Sequence, residues 1–517
     1  MSLRRVLAAA SVAAIVAGVG VVVACGPPPP GVTGAATPRR GGVGSLLRDD
    51  RVVITRGTVV RAVNVTRRWV YSLTPEAVMV YDRNRRLWMP PFTKEGGFDP
   101  AIVRSMAVDP SDESAWLVTP IGTYVLQPAL PFLMRAASAP PAGVRVQTLD
   151  AVYREFPSLE AFGRLLTRDD AALETYPVVA GARAPDRTEV WLGTAGGGLY
   201  QVDPLFNHAT SQPFGIAASG AGALAKAADG VWIAPAARGV AQRLAVTFAA
   251  RDLQQWRWLD DPTRRGFGGA RGTALDVRGG TLWMGTTRGL FRIPTDGGMG
   301  ARNFTLMAGL PSDVVLSVLA RDAGVWVGTD HGLAFLANDS AETRGRLITQ
   351  GDVTAVAVRA LLATGDTLWV GTDGGIVLRP PGAEDRFVRP AAASSQARLR
   401  QPVYALAQSD SVVFVALSDA VLAFSLRDGS WREPWPAAAW RVAGPLEALA
   451  ADARTVWAGG AFGVVAVDRR TGRSRTLRLG SDLPDAVNDL LLDGPWAWIS
   501  TLGGVVRVRR LADGLLP

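Results

Sequence analysis

Among 517 residues there is one cysteine, and there are two histidines and two lysines. Each scarcity removes a class of chemistry. Cys25 has no second thiol, so an internal disulfide and a cysteine-based metal site are both excluded. His208 and His331 are too few for a zinc constellation, and no Ser-His-Asp set gathers in one stretch of the sequence. His331 falls in a predicted hairpin turn, in the slot that Arg288 and Gly374 hold in sister repeats, and reads as an exposed turn residue. Lysine is confined to Lys94 and Lys226, so arginine carries nearly all the positive charge. A net charge of +9 over this length reads as a mildly basic, solvated surface, and nucleic acid is not an expected partner. Past Val6–Ala24 no apolar run approaches the length of a membrane span.

A repeat is what the sequence does have. Leu282–Ile293, LWMGTTRGLFRI, returns as VWVGTDHGLAFL at Val325–Leu336 and as LWVGTDGGIVLR at Leu368–Arg379. Trp283, Trp326 and Trp369 are each 43 residues apart. The first half is aromatic and β-branched, the middle is a turn, and the second half alternates like a returning strand. Gly289, Gly332 and Gly375 are expected at positive φ in that turn. A period in the forties with strand-like content predicts an all-β propeller with one four-stranded blade per repeat.

The N-terminus reads as an address. Arg4 and Arg5 precede the apolar run, which ends in Val22-Val23-Ala24-Cys25-Gly26. Small residues before a cysteine at that place resemble a bacterial lipobox. The resemblance implies a signal peptide over residues 1–24 and a lipid on Cys25 that ties the protein to a membrane, in the periplasm or on the outer face. Residues 25–45 are rich in proline and glycine and read as a disordered tether. The propeller is expected over residues 46–517.

Degenerate copies extend the array in both directions. Anchors stand at Trp69, Trp116, Trp191, Trp232, Trp283, Trp326, Trp369, Phe414, Trp457 and Trp498, which makes about ten units. Eight to ten blades in one ring, or two smaller rings, fit this count. The last unit stops short of a fourth strand, so Arg51–Val60 is expected to complete it and close the ring. Between Trp116 and Trp191 lie 75 residues, with a helical insertion expected at about 145–175. Leu149, Val152, Tyr153 and Phe156 mark one helix; Leu159, Phe162, Leu165 and Leu166 mark a second, with Ser158 as its N-cap.

The best copy runs Asn303-Phe304-Thr305, Gly309-Leu310-Pro311-Ser312-Asp313-Val314, Asp322, Val325–Thr329 and Gly332-Leu333. It is similar to the two-component regulator propeller repeat. That resemblance implies a sensing or ligand-binding propeller of the cell envelope, often one that responds to glycans. Ala466–Gly472 also resembles the A-x-D-x-x-T-G of pyrroloquinoline quinone propellers. Thr476 stands where that family has a docking tryptophan, so no cofactor is expected.

Trp191, Trp283, Trp326, Trp369, Trp457 and Trp498 read as structural anchors that pack between blades. Trp256, Trp258, Trp431 and Trp435 fall outside the repeat, beside arginines and acids, and are the candidate contacts for a glycan or an envelope protein. No catalytic residue or metal ligand is expected. Asp330 and Asp373 share a repeat position, and Asp112-Glu113, Asp169-Asp170 and Asp260-Asp261 are paired acids. These read as turn residues, with carboxylate pairs assembled from several blades as the enzymatic alternative. The function expected is therefore a binding or scaffold lipoprotein. The alternatives are a lyase or hydrolase acting on a glycan, and an outer-membrane assembly factor.

Overall fold

The computed structural model describes residues 51–516 except 95–96, 128–131, 163–166, 169–175, 187–188, 207, 237–243, 261–269, 298–300, 338–345, 349–350, 384–385 and 395. The expected leader, Cys25 and the tether lie outside the described residues. So do Leu165, Leu166, Asp169, Asp170 and Asp261.

The repeated unit folds as an antiparallel hairpin. Thr281–Thr286 pairs with Gly289–Pro294, Gly324–Thr329 with Gly332–Ala337, and Thr367–Thr372 with Gly375–Arg379. The turn glycines have φ of 109°, 134° and 108° at Gly289, Gly332 and Gly375, where a Cβ would be strained. The threonine before each turn has a role that its residue type alone did not reveal. Thr286, Thr329 and Thr372 are buried, and each hydroxyl donates to the carbonyl of its turn glycine at 2.8, 3.0 and 2.7 Å.

Ten sheets form among the described residues, most of them four-stranded and all antiparallel except for one parallel edge pairing of Thr167–Arg168 with His208–Gln212. One packing rule joins them. The anchor aromatic of a sheet is buried by the first two strands of the next. Trp283 clusters with Val315, Val325 and Val327, Trp326 with Val358 and Val370, and Trp369 with Val403, Val413 and Val415. Followed around, this rule gives a closed circuit of seven sheets. Their inner strands are Gly220–Lys226, Gly272–Arg278, Val315–Arg321, Val358–Thr364, Ala405–Ser409, Leu446–Ala451 and Val487–Asp493, and the last packs back on the first. The fold is a β-propeller, and these sheets are blades 1 to 7.

The remaining three sheets stand beside the ring as an open arc. The sheet containing Val178–Arg183 packs on the sheet of Ala62–Val65, which packs on the sheet of Ser105–Val108. Ten sheets match the ten sequence units, but the ring takes seven of them. The reason is Trp498. Its strand, Trp496–Thr501, packs on Gly220–Lys226 of blade 1, so blade 7 meets blade 1 and the ring closes there. Periodicity reports that a sheet exists, not which sheet its last copy meets. Trp116, the anchor of the terminal arc sheet, has no following sheet among the described residues and is half-buried, while the other repeat tryptophans are buried.

Strand β1 (Arg51–Ile54) completes blade 7, antiparallel to Gly504–Arg509, with Arg51 opposite Val508 and Ile54 opposite Val505. The expected closing strand is thus four residues long and does not run to Val60. From Thr55 the chain crosses to the arc: the Gly57 N–H donates to the Ile216 carbonyl at 3.1 Å, and the Val60 N–H to the Thr194 carbonyl at 2.9 Å.

Two short helices cover the other end of the arc. Helix α1 (Leu149–Glu155) is capped by Thr148, whose hydroxyl accepts from the Ala151 N–H at 3.3 Å. Helix α2 (Pro157–Phe162) starts with Pro157, whose missing N–H costs nothing at that position. Ser158 lies inside α2, so it is not the N-cap expected from the sequence. Val152 and Leu159 are buried against Val190, Leu192, Tyr200 and Val202, on the sheet face that has no preceding blade.

Among the described residues no helix is long and apolar enough to cross a membrane.

Candidate functional site

All seven inner strands meet around one cavity of about 460 Å³ at the centre of the ring. In blades 2, 3, 4, 6 and 7 the pairing register shifts once near the start of the inner strand, leaving Thr273, Leu316, Arg359, Glu447 and Asn488 without a partner in the second strand. Gly222 and Tyr404 hold the equivalent places in blades 1 and 5, and all seven residues line the cavity. Such bulges turn a side chain out of the regular alternation. Two residues further along, Leu275, Val318, Leu361, Leu406 and Leu449 line the same cavity with aliphatic surface. The result is a polar mouth above an apolar wall.

The polar groups are held from several blades. The Arg359 guanidinium donates to the Asp373 carboxylate at 2.5 and 3.3 Å and lies over the Tyr404 ring, 5.3 Å from its centroid. The hydrogen bond to Asp373 holds Arg359 above the ordinary arginine range. Arg271 donates to the Asn488 side-chain carbonyl at 2.6 Å, and the Asn488 amide donates to the Ala221 carbonyl at 2.7 Å. Gly222 sits where inner strands 1 and 2 come so close that a Cβ would meet the Gly272 carbonyl at 1.8 Å.

Asp489 stands out by its neighbours. The same place is Ala223, Ala274, Ser317, Ala360, Ala405 and Ala448 in the other six blades. It lines the cavity and accepts from the N–H groups of Leu224 and Leu490, both at 2.8 Å. Burial pushes its carboxyl up to about 6, against the lowering effect of those two N–H groups. Folded Asp489 therefore keeps its proton to about pH 6, while the unfolded chain releases it near pH 4. The group adds stability below about pH 4, and this is lost as pH rises to about 6, on the order of 2–3 kcal/mol in all. Asp489→Ala is expected to remove that dependence. Melts of both proteins from pH 4 to 7 should show their difference changing between pH 4 and 6; a constant difference would contradict the assignment.

The candidate tryptophans lie elsewhere. Trp256 and Trp258 are 6% and 8% exposed, and their indole N–H groups donate to the carbonyls of Leu253 and Gly215 at 2.8 and 2.9 Å. Trp435 is buried against Phe414 and Trp440, and Trp431 is half-buried against Trp369 and Phe424. Three of the four rings thus have their faces covered by protein. Trp256 belongs to an aromatic chain, Tyr81–Trp88–Phe214–Trp256, with centroids 5.0, 4.7 and 5.3 Å apart, that fastens the arc to blade 1. It borders a second cleft of about 470 Å³ between the two. The six structural anchors are buried.

The acids are scattered. Asp373 pairs with Arg359, Asp330 lies 3.0 Å from the exposed His331 ring, and Asp112 and Glu113 accept from the backbone N–H groups of Ser114 and Arg68. Among the described residues no three His, Cys, Asp or Glu side chains gather closely enough to hold a metal ion. Asp468 of the quinone-like stretch accepts from the Arg470 and Thr471 N–H groups at 2.9 and 2.6 Å, so the A-x-D-x-x-T-G pattern is a self-bonded turn here.

The mouth residues were not singled out from the sequence, although a signal was present. Gly222, Thr273, Leu316, Arg359, Tyr404, Glu447 and Asn488 each lie ten residues before an anchor aromatic.

No protein-family model matches the chain, and no curated protein matches it in sequence. Solved structures share its general form. The extracellular domain of the putative hybrid two component system BT3049 from B. thetaiotaomicron is 13% identical with a TM-score of 0.45. The alignment covers 87% of this chain and 56% of that one, so this chain spans about half the length of that domain. Virginiamycin B lyase from Staphylococcus aureus is 13% identical with a TM-score of 0.42, over 57% of this chain and 96% of that one. The WD40 β-propeller domain of Doa1 is 11% identical with a TM-score of 0.41, over 56% and 92%. At these scores the propeller assignment rests on the sheets themselves.

Proposed function

We propose that this chain is a ligand-binding propeller of the cell envelope, of the two-component regulator repeat type, anchored through a lipid on Cys25. One observation carries the binding role: seven blades each place one side-chain position around a single cavity, and six different residue types fill it alongside one glycine. A position free to vary within a constant frame suits recognition of one asymmetric ligand. The cavity volume suits a small molecule.

The full-length protein, dialysed against envelope extracts, is expected to retain a small molecule detectable by mass spectrometry. Tyr404→Ala is expected to lose it, because the substitution removes the platform on which Arg359 rests. Retention unchanged by Tyr404→Ala would remove the channel mouth as the site. Recovery of the compound chemically altered would favour the lyase or hydrolase reading. Recovery of envelope proteins alone would favour the assembly factor. The anchor has its own check. Cys25→Ser should move the protein from the membrane to the soluble fraction, and persistence in the membrane would exclude a lipid at this residue.

A further inference from the structure

We propose that the ligand of the channel mouth is a small zwitterion, a free amino acid or dipeptide with an aliphatic side chain, its carboxylate held by Arg271 and its ammonium by Glu447. The proposal rests on the channel-mouth reading above and names the ligand class.

Four formally charged side chains line the cavity. Two are already satisfied. Arg359 is bonded to Asp373, and Asp489 accepts from two backbone N–H groups. The other two have no opposite charge within bonding distance among the described residues. Arg271 is exposed and donates to the neutral Asn488. Glu447 is exposed, and the opposite charge that it influences, Arg359, gives its hydrogen bonds to Asp373. Arg271 and Glu447 are not paired with each other: they stand on blades 2 and 6, with blades 1 and 7 between, and Asn488 of blade 7 is tied to Ala221 and Arg271. One cation and one anion that have no ion-pair partner among the described residues therefore face the same cavity of about 460 Å³.

A neutral ligand would shield both charges from water without replacing their hydrogen bonds, which opposes binding. A simple anion or cation would satisfy one charge and leave the other. A zwitterion satisfies both, and a guanidinium meets a carboxylate with two parallel bonds. Leu275, Val318, Leu361, Leu406 and Leu449 line the cavity two residues beyond the mouth and offer an apolar seat for the ligand's side chain.

The test is calorimetric titration of the full-length protein with L-leucine and leucyl-leucine, and with their N-acetyl and C-amide forms. A zwitterion should bind at least tenfold more tightly than either blocked form, about 1.4 kcal/mol. Arg271→Gln should erase discrimination against the amide and keep discrimination against the N-acetyl form. Glu447→Gln should do the reverse. Equal binding of blocked and free forms, or variants that keep both discriminations, would overturn the proposal. If none of these compounds binds while Tyr404-dependent retention of another compound persists, the ligand class is wrong and the channel site stands. If both fail, the channel reading falls with it.

Discussion

Gly328→Leu is expected to prevent the ring from closing. Gly328 is the glycine of the second-strand Trp-Val-Gly-Thr in blade 3. A Cβ there would stand 2.3 Å from the Ser317 hydroxyl and 2.6 Å from both the Cγ1 and the carbonyl oxygen of Val358. Val358 is on the inner strand of blade 4, so one obstacle is the backbone of the neighbouring blade. Side chains could turn aside; that backbone moves only if the blades part. Gly285, Gly371 and Gly459 approach the side chains of Val315, Val403 and Val487 in the same way, each with a would-be contact of 2.6 Å to Cγ1. Ordinary overpacking costs about 1–3 kcal/mol, and an added leucine against fixed backbone should exceed it. The expected result is insoluble protein or a greatly lowered melting temperature. Gly143→Leu is the control, since nothing lies within 4 Å of a Cβ there. Equal melting of the two variants would remove close blade contact as the reason for the repeated glycine.

The second large effect is expected from β1. Val53 and Ile54 are 2% and 1% exposed, and they enter different cores. Val53 packs with the core shared by blades 6 and 7, including Trp457, Val487 and Val506. Ile54 packs with the core that joins blade 7 and blade 1 to the arc, including Trp498, Val231 and Val60. Replacing both by aspartate removes about 1.5–3 kcal/mol of apolar burial at each site and adds two unpaired carboxylates. It should also free the edge of Gly504–Arg509 for association. Rapid proteolysis near the junction of blades 7 and 1, together with aggregation on gel filtration, is the expected outcome. Arg51→Ala removes the partly exposed Arg51–Asp482 pair at 3.1 Å and a 3.3 Å bond to the Asp482 carbonyl, and should change stability by about 1 kcal/mol or less. If the double variant behaved like Arg51→Ala, β1 would not be the clasp.

These two expectations concern features that the sequence showed to different degrees. The glycine recurs with the tryptophan, so its importance was legible, but its reason was not. The turn glycines at 289, 332 and 375 could be assigned a positive φ from the sequence because a hairpin turn is a local object. The second-strand glycines are ordinary in φ, and the space for a side chain is taken by the next blade and, at Gly328, also by Ser317 of the same blade. Ser158 is a cap residue by type, but α2 already starts at Pro157, so Ser158 lies inside the helix.

Trp256, Trp258 and Trp435 were singled out because they break the repeat beside polar residues. They break it because they do a different packing job, wedging outer strands against the arc or filling the space around Phe414. By contrast, the mouth residues have no shared type, so a search for recurring residues passes over them. Position was their only mark, ten residues before each anchor.

What this sequence settled by itself was the hairpin, its period, and an array of about ten such units with an N-terminal strand to finish the last. Those follow from alternation, turn chemistry and spacing, which act over a few residues. Only the tertiary structure decided that seven sheets close and three do not. That choice is made where Trp498 meets Leu224 and Ile233, where the Ser500 hydroxyl donates to the Gly222 carbonyl at 2.8 Å, and where Lys226 and Arg251 both reach Asp493. These partners lie more than 200 residues apart in the chain, and no local pattern encodes which of two similar edges a strand will find.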